Sequence, residues 1–524
     1  MDGELAKIVI INPRFEPSYW GLEHALNLLD VRANVPVAAL PLIAALTPPG
    51  HAVTLIDEAV EEIDFDLCQK ADIVGVTGMI VQRFRMMEII KELKRRGCFV
   101  VVGGPWVTVQ EDYFDGLADV IVVGEAEETW PQFLSEWKAG AHAKRYEQAG
   151  KTDMSTVPMP RHDLLKMDRY AIGSVQFSRG CPFTCEFCDI IVTFGRRPRI
   201  KTSEQIIAEL DALWREHDID TAFIVDDNLI GNKKEIKKVI REVIAWQQAN
   251  DYPMMFFTEA SLDLADDKEL MQLMVDANIR IVFVGVETPN EESLRETGKL
   301  QNLRKGGTIV EKIHMIQDAG MEVWSGHIVG FDADGPDIFD RQMKFIEQSR
   351  IVSSMIGMLS AIPKTPLHKR LATAGRLDPS DRPEYGTNVI PEQLDRKTLR
   401  DGFLRVMQTL YEPAAYFERL DNLYLTGGLS QSTTRKEFLK RRPLRRLKLN
   451  AALLAEAAYI VLKLQTQVKD STLRRHYRRA MRRVLRARPE PDVLQAYAIK
   501  CAMHYHAHRL TSEMAAGGQL VNTF

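Results

Sequence analysis

The chain has 524 residues, 45% of them hydrophobic and 27% charged, which describes a globular protein too long for one ordinary domain and calls for two or three. Its acidic start, Met1-Asp2-Gly3-Glu4, is no signal peptide, and no run of about 18 uninterrupted apolar residues occurs, so the sequence predicts a cytoplasmic protein that does not span a membrane. Net charge is only -4, but residues 435 to 488 hold 18 Lys or Arg against Glu437, Glu456 and Asp470, a local +15 that leaves -19 for the rest.

The first 140 residues alternate apolar runs with helical periodicity. Lys7 to Ile11 is a buried-strand run stopped by Asn12-Pro13, and similar runs recur at His51 to Asp57, Asp72 to Thr77, Phe99 to Val102 and Val120 to Val123. Between them, Val81 to Arg96 sets Met86, Ile89, Ile90 and Leu93 on one helical face. Strands alternating with helices predict an α/β domain with a parallel, doubly wound sheet. Such sheets bind ligands at the carboxyl ends of their strands, and those ends carry Thr77-Gly78-Met79, Gly103-Gly104-Pro105 and Gly124-Glu125-Ala126-Glu127. Glycine there lets a flat ligand approach the backbone, although the same glycines also serve simply as strand ends and turns. No G-x-G-x-x-G follows the first strand, which argues against NAD.

Residues 141 to 170 read as a linker, Ala141 to Pro160 being polar with Pro158 and Pro160 near its end. The strand Gly173 to Phe177 then delivers Ser178-Arg179-Gly180-Cys181-Pro182-Phe183-Thr184-Cys185-Glu186-Phe187-Cys188-Asp189. Three thiolates in a C-x3-C-x2-C spacing suit three corners of an iron-sulfur cubane. Four cysteines are the usual complement, so one iron is left open to another ligand. Structural zinc wants four closed ligands, usually in C-x2-C pairs, and neither His162 nor His217 stands at such a spacing. Cys68, Cys98 and Cys501 are scattered, which is no disulfide framework and fits a reducing compartment.

The α/β pattern continues to about residue 370. Thr202 and Gln205 form a capping box ahead of a helix with Ile206, Ile207, Leu210, Leu213 and Trp214 on one face. Strand Thr221 to Val225 and a helix bearing Ile236, Val239, Ile240, Val243 and Ile244 follow. Further strands at Met254 to Thr258, Arg280 to Val286, Glu322 to Val329 and Ser353 to Ser360 bring the count to six, each parallel to the last, which indicates an open partial (β/α)6 barrel. Function in such barrels sits at the carboxyl strand ends, where Asp226-Asp227-Asn228, Glu259 with Ser261, Glu287-Thr288 and Gly330-Phe331-Asp332 collect. Helix capping is the competing role for Asp227 and Asn228.

With Phe187 in the aromatic place of C-x3-C-x-aromatic-C, the cysteine loop resembles the first motif of the radical S-adenosylmethionine (SAM) enzymes. The resemblance implies that Cys181, Cys185 and Cys188 hold a four-iron four-sulfur (4Fe-4S) cluster whose open iron chelates SAM, with Phe187 near the adenine. It further implies Asp226 and Asp227 at the SAM amino group and Glu259 at the ribose, with Ser261 and Gly330 completing the SAM set. Gly326-His327-Ile328-Val329-Gly330 matches the family's fifth-strand pattern, but Ala333 stands where the family has a glutamate. A Rossmann-like domain ahead of this core is similar to the cobalamin-binding domain of the cobalamin-dependent subfamily. That implies cobalamin against Thr77, Gly78, Gly103, Gly104, Gly124 and Glu125. The loop Arg14 to Trp20 carries no D-x-H-x-x-G motif, so the bound cobalt is expected to lack a protein histidine.

The C-terminal region, 371 to 524, reads as helical, with Gly402 to Leu420 as one helix aligning Leu404, Met407, Leu410 and Tyr411. Farther on, basic clusters flank the apolar stretch Leu449 to Leu464, which Glu456 and Lys463 interrupt. This segment fits either the surface of an anionic membrane or a solvated helical cap. No RNA-binding module is recognisable, and no nucleic-acid partner is expected.

The whole layout, including Arg196-Arg197-Pro198-Arg199, resembles the hopanoid C-2 methylase group. That implies a cobalamin-dependent radical SAM methyltransferase acting on an unactivated carbon of a hydrophobic substrate such as a hopanoid. SAM would serve both as methyl source and as radical source, and an external one-electron reductant such as flavodoxin or ferredoxin would be needed. Two other readings stand beside it: a cobalamin-binding radical SAM enzyme without methyl transfer, such as a tetrapyrrole cyclase, and a non-catalytic iron-sulfur protein.

Overall fold

The computed structural model describes residues 6–303, 306–517 and 520; the acidic start lies outside them. The chain divides into two units. The first is built from Met1–Glu16, Val35–Asn232 and Ala361–Thr373, the second from Pro17–Asn34, Lys233–Ser360 and Ala374–Phe524.

In the first unit β1 (Lys7–Asn12), β2 (Ala52–Asp57), β3 (Ile73–Thr77), β4 (Val100–Gly103), β5 (Val120–Val123) and β6 (Arg145–Glu147) form one sheet in the order β2-β1-β3-β4-β5-β6. Every pairing is parallel. The strands read as unbroken apolar runs because both faces are covered. Val9, Ile11, Val74, Val76, Val100 and Val102 pack against the helix Arg83–Arg95 through Met86, Ile89, Ile90 and Leu93. Ile8, Ile10, Ile73, Val101 and Val122 meet Leu40, Trp130, Phe133 and Leu134 on the other side. Strand order reverses between β1 and β3, and that crevice is where open parallel sheets take their ligands.

The sixth strand, β6, falls inside the stretch read as a linker. It is three residues long at a sheet edge, and only Tyr146 of Arg145-Tyr146-Glu147 is buried, so it carries no apolar run to betray it. The same unit holds β7 (Gly173–Val175) paired in parallel with β10 (Thr221–Ile224), and a short antiparallel ladder of β8 (Ser178–Arg179) with β9 (Arg199–Ile200). The expected capping box is present at the start of the helix Ser203–His217, where Thr202 accepts from the Gln205 N–H.

The second unit carries β11 (Met255–Glu259), β12 (Ile279–Glu287), β13 (Glu322–Val329) and β14 (Ser354–Met358), side by side in that order and all parallel. All six strands expected of the core are thus present, two in the first unit and four in the second. The C-terminal residues are helical, but the helix expected over Gly402 to Leu420 is two: Arg396–Leu410 and Pro413–Asp421. Pro413 removes a backbone donor and pushes Glu412 out of the helical region. The Glu412 carboxylate then caps the N–H groups of Ala414 and Ala415. Residues 17–34, counted by sequence with the N-terminal sheet, cluster with this unit instead, where Trp20 packs on Phe283 and Trp324 at centroid distances of 5.1 and 6.4 Å.

Candidate functional site

The cysteine loop leaves β7 and is pinned by the aspartate pair that ends β10. Asp226 accepts the Phe177 N–H at 2.7 Å through one carboxylate oxygen and the Ser178 hydroxyl at 2.6 Å through the other. Asp227 accepts the Gly180 N–H at 2.8 Å. Gly180 is required there: its φ is +92°, and a Cβ would stand 3.0 Å from the carbonyl oxygens of both Gly195 and Arg197. The Cys181 N–H donates to Gly195 O at 3.2 Å and the Cys188 N–H to Cys185 O at 3.2 Å. Residues returning at 361–373 brace the far side, the Leu367 N–H donating to Glu186 O and Arg370 pairing with the Glu186 carboxylate at 2.6 Å.

Burial pushes Asp226 up to about 6 and Asp227 up to about 7, against the hydrogen bonds that favour their charged forms. Asp226 is fully buried and both its oxygens are taken inside the chain. Its geometry is that of a residue positioning the loop, while Asp227 keeps one oxygen and partial exposure. The third residue of this turn, Asn228, directs its amide to Cys181 Sγ at 3.8 Å.

Glu125, expected on the cobalamin side, turns the other way. It pairs with Arg179 at 2.9 Å and Arg199 at 2.9 Å and accepts the Thr152 N–H. Arg179 also stands 2.7 Å from Glu127. Glu125 and Arg179 are buried and Glu127 and Arg199 nearly so, and the four join the end of β5 to both strands that frame the cysteine loop. Arg179 and Arg199 are 20 positions apart and neither carries a motif that announces a partner 54 or more residues away, so sequence reading missed the network.

At the carboxyl ends of the six-stranded sheet, the buried Thr77 ends β3 and Gly103 ends β4, and Gly78, Gly104 and Gly124 directly follow β3, β4 and β5. Gly104 has φ +97°, and a Cβ there would meet Thr77 Oγ1 at 2.5 Å and the Gly78 backbone at 2.9 Å. This is a close backbone approach that only glycine permits. A second polar chain, also missed by sequence, locks the reversal point of the sheet. Asn12 at the end of β1 donates to Asp57 at 3.0 Å and accepts from Gln82 at 3.0 Å, and Tyr170 donates to Asp57 at 2.7 Å. The two histidines in residues 35–150, His51 and His142, precede β2 and β6, which places them at the amino ends of strands, away from these glycines.

In the second unit Glu259 ends β11 and Ser261 follows it, both partly exposed, with Ser261 donating to Asp263 at 2.5 Å. Gly330 follows β13, and its N–H and that of Phe331 donate to the buried Asp334 at 3.0 and 3.1 Å. Asp334, next to the Ala333 that replaces the family's glutamate, is thus the carboxylate that shapes this turn. His327 of the same motif is a core residue: fully buried, bonded to the Ser325 hydroxyl at 2.8 Å and packed against Phe345. Phe257 shares with Glu259 one face of β11, by the period-two alternation of strands. It packs on Trp324 of β13 at 6.0 Å, so the face that carries Glu259 is apolar and partly aromatic.

The residues fit the groups that the sequence implies. Cys181, Cys185 and Cys188 stand on one braced loop and form no disulfide, Cys181 and Cys188 partly exposed. Among the described residues no three His, Cys, Asp or Glu side chains converge on a single-ion point; ligands of a cubane bind separate irons and do not have to. Phe187 lies between the last two cysteines, half-buried. The glycine-lined strand ends offer a flat group backbone rather than side chains.

Family models match in three consecutive stretches: a B12 binding domain over residues 27–134, the radical SAM superfamily over 175–342, and a domain of unknown function, DUF4070, over 365–519. The chain is 38% identical over 432 residues to an uncharacterised methyltransferase of Synechocystis sp., covering 82% of this chain and 80% of that one. It is 34% identical over 421 residues to the hopanoid C-2 methylase of Rhodopseudomonas palustris, covering 79% of each. Among solved structures, the cobalamin-dependent SAM radical enzyme OxsB superposes with a TM-score of 0.60 at 14% identity, covering 98% of this chain and 81% of that one. The radical SAM methyltransferase TsrM from Kitasatospora setae gives a TM-score of 0.56 at 18% identity, covering 71% and 75%. At such identities these two structures speak for the fold.

Proposed function

The chain belongs to the cobalamin-binding radical SAM family, in its hopanoid C-2 methylase-like branch, and we propose that it methylates an unactivated carbon of a polycyclic lipid, C-2 of a hopanoid being the first choice. It is a radical SAM methyltransferase whose cofactors are a 4Fe-4S cluster, SAM and cobalamin. The observation that carries the substrate is the 34% identity to the hopanoid C-2 methylase over 79% of both chains. The aromatic face around Phe257 and Trp324 supports it, since an apolar scaffold needs area more than polar contacts, at about 0.8 kcal/mol per buried CH2.

When bound, a 4Fe-4S cluster with SAM would supply one-electron radical chemistry at carbon and a cobalamin would supply the methyl group, chemistry that side chains acting as acids and bases do not reach. The chain's own residues hold and orient. Cys181, Cys185 and Cys188 ligate the cluster, and Asp226 fixes their loop. Asp227 takes the SAM amino group, and Phe187, Glu259, Ser261 and Gly330 keep the SAM roles expected of them. Thr77, Gly78, Gly103, Gly104 and Gly124 approach cobalamin through backbone, while Glu125 ties this end of the sheet to the cysteine loop. An external one-electron carrier of the flavodoxin or ferredoxin type would supply the electron.

Incubating the anaerobically reconstituted, cobalamin-loaded enzyme with methyl-labelled SAM, a reductant and a hopanoid precursor should yield a labelled product heavier by one methylene unit. Label appearing only in a tetrapyrrole or a peptide would refute the substrate while leaving the methyltransferase class intact.

A further inference from the structure

The helix Pro443–Gln467 is exposed along most of its length. Its buried residues are Ala457, Ile460 and Leu464, and none of Pro443 through Glu456 is buried. At 100° per residue those three lie on one face, with the half-buried Leu449 and Leu453 beside them. The opposite face carries Leu444, Leu447, Ala451, Leu454, Ala458 and Leu462, a continuous apolar stripe. Leu444 is 77% exposed, Leu447 67% and Leu462 60%. A helix with only one face on the core is ordinarily polar on the other, so this stripe is a second apolar surface that the fold does not use.

Both ends of the stripe are cationic. Arg441, Arg445, Arg446 and Lys448 are exposed at the amino end, where the helix has no acidic residue in its first turn to offset them and where its own dipole disfavours cations. The next helix, Ser471–Ala487, buries Leu473, Tyr477, Ala480 and Val484 and exposes Arg475, Arg478, Arg479, Arg482, Arg483 and Arg486. Gln465, one turn beyond Leu462, accepts from Arg478 at 2.8 Å and donates to the Arg474 carbonyl at 3.1 Å. The arginine helix therefore starts beside the carboxyl end of the leucine stripe.

We propose that these two helices form a docking surface for an anionic lipid bilayer, the leucines entering the acyl boundary and the arginines pairing with headgroup phosphates. Charge selects this occupant. Nucleic acid would meet leucine where it needs polar partners. A second copy of the chain would bring a second segment of +15 against the first. An anionic bilayer accepts both features, because interfacial helices bind through buried apolar area together with attraction to anionic lipid, and guanidinium is well matched to phosphate. No helix among the described residues is long and apolar enough to cross a membrane, so the contact is with the surface. The inference stands apart from the reading of the reaction, since no cofactor residue lies on either helix.

The test is flotation of the full-length, cofactor-reconstituted protein with vesicles of phosphatidylcholine alone or with one-third phosphatidylglycerol. Wild type should float with the mixed vesicles, less so at high salt, and stay behind with phosphatidylcholine alone. Leu447→Glu with Leu462→Glu, and separately Arg479→Glu with Arg482→Glu, should each weaken binding at least about tenfold. Both pairs are exposed, and the two act on different terms of the binding, so the second arm stands if the first disturbs the helix. Absence of flotation by wild type, or wild-type flotation by both variants, would overturn the proposal. So would a dimer in size exclusion that Leu447→Glu with Leu462→Glu dissolves, which would assign the stripe to a second copy.

Discussion

Replacing Arg179 with methionine keeps the apolar stem of the side chain and removes one charge from a buried set of four. Arg179 and Glu125 have side chains 6% and 1% exposed, Glu127 is 8% exposed and Arg199 13%, so the set is close to neutral and nearly dry. Without Arg179 it holds two carboxylates and one guanidinium. Breaking a buried pair from one side costs about 3–5 kcal/mol, because the partner left behind is desolvated and unpaired. Arg199 still stands 2.9 Å from Glu125, and the orphan is Glu127, whose remaining bond is to the Thr152 hydroxyl at 3.1 Å. The cost is therefore expected at the low end, about 3 kcal/mol. Because Arg179 lies in β8, two residues before Cys181, the loss falls on the loop itself. Hydrogen exchange of the Gly180 and Cys181 amides, which close onto Asp227 and Gly195, should speed up about 100-fold, at about 1.4 kcal/mol per decade. Adding Glu127→Gln restores neutrality and should recover about half of the loss, a coupling that a double-mutant cycle reads directly. Exchange within threefold of wild type in the single variant, or faster exchange in the double than in the single, would refute the reasoning.

Alanine at Cys181, Cys185 or Cys188 should abolish iron incorporation and SAM cleavage, while alanine at Cys68, Cys98 or Cys501 should leave both in place. Burial raises all three of the latter thiols, Cys68 to about 12, which keeps them protonated and poor ligands; iron analysis after reconstitution decides it. Paramagnetic resonance of the bound cobalamin should show no nitrogen hyperfine splitting from a protein imidazole, since His51 and His142 stand at the amino ends of the sheet, and such a splitting would refute the strand-end reading. Burial holds His504 down at about 3, against about 6.5 in the unfolded chain. The unfolded state therefore binds the proton first, and the stability present above about pH 6.5 is lost as pH falls toward about 3. Substituting His504→Gln should accordingly shrink the stability difference between neutral pH and about pH 5 by about 2 kcal/mol. An unchanged or larger difference in urea melts would contradict it.

What was legible in the sequence is what leaves a local signature. The five long strands of the first sheet were readable because parallel strands covered on both faces must be apolar throughout. The cysteine loop was readable because thiolate spacing is itself the chemistry. The polar edge strand β6 and the two-residue ladder of β8 with β9 leave no periodicity to find. The break before Pro413 did have a signal, the proline itself, but the hydrophobic pattern runs through it and outvoted the backbone argument. Residue 33 of the chain is buried with the second unit, and nothing about Pro17 to Asn34 alone says which core Trp20 will enter.

The direction of a side chain is where local reading stops. Asp226 and Asp227 are adjacent carboxylates at one strand end, and sequence alone gives them the same role. In the structure, alternation along the backbone turns Asp226 into the loop, where the Phe177 amide and the Ser178 hydroxyl occupy both its oxygens, and leaves Asp227 one oxygen and a path to solvent. Glu125 likewise sits among glycines that face the expected cobalamin, yet its carboxylate faces Arg179 and Arg199. Asp226 and Glu125 thus both spend their oxygens on residues that flank the cysteine loop, Phe177, Ser178 and Arg179 on one side and Arg199 on the other. A radical enzyme has reason for this, because a reactive intermediate must meet its target carbon before anything else, and positioning errors of about 1 Å can cost about 100-fold in rate.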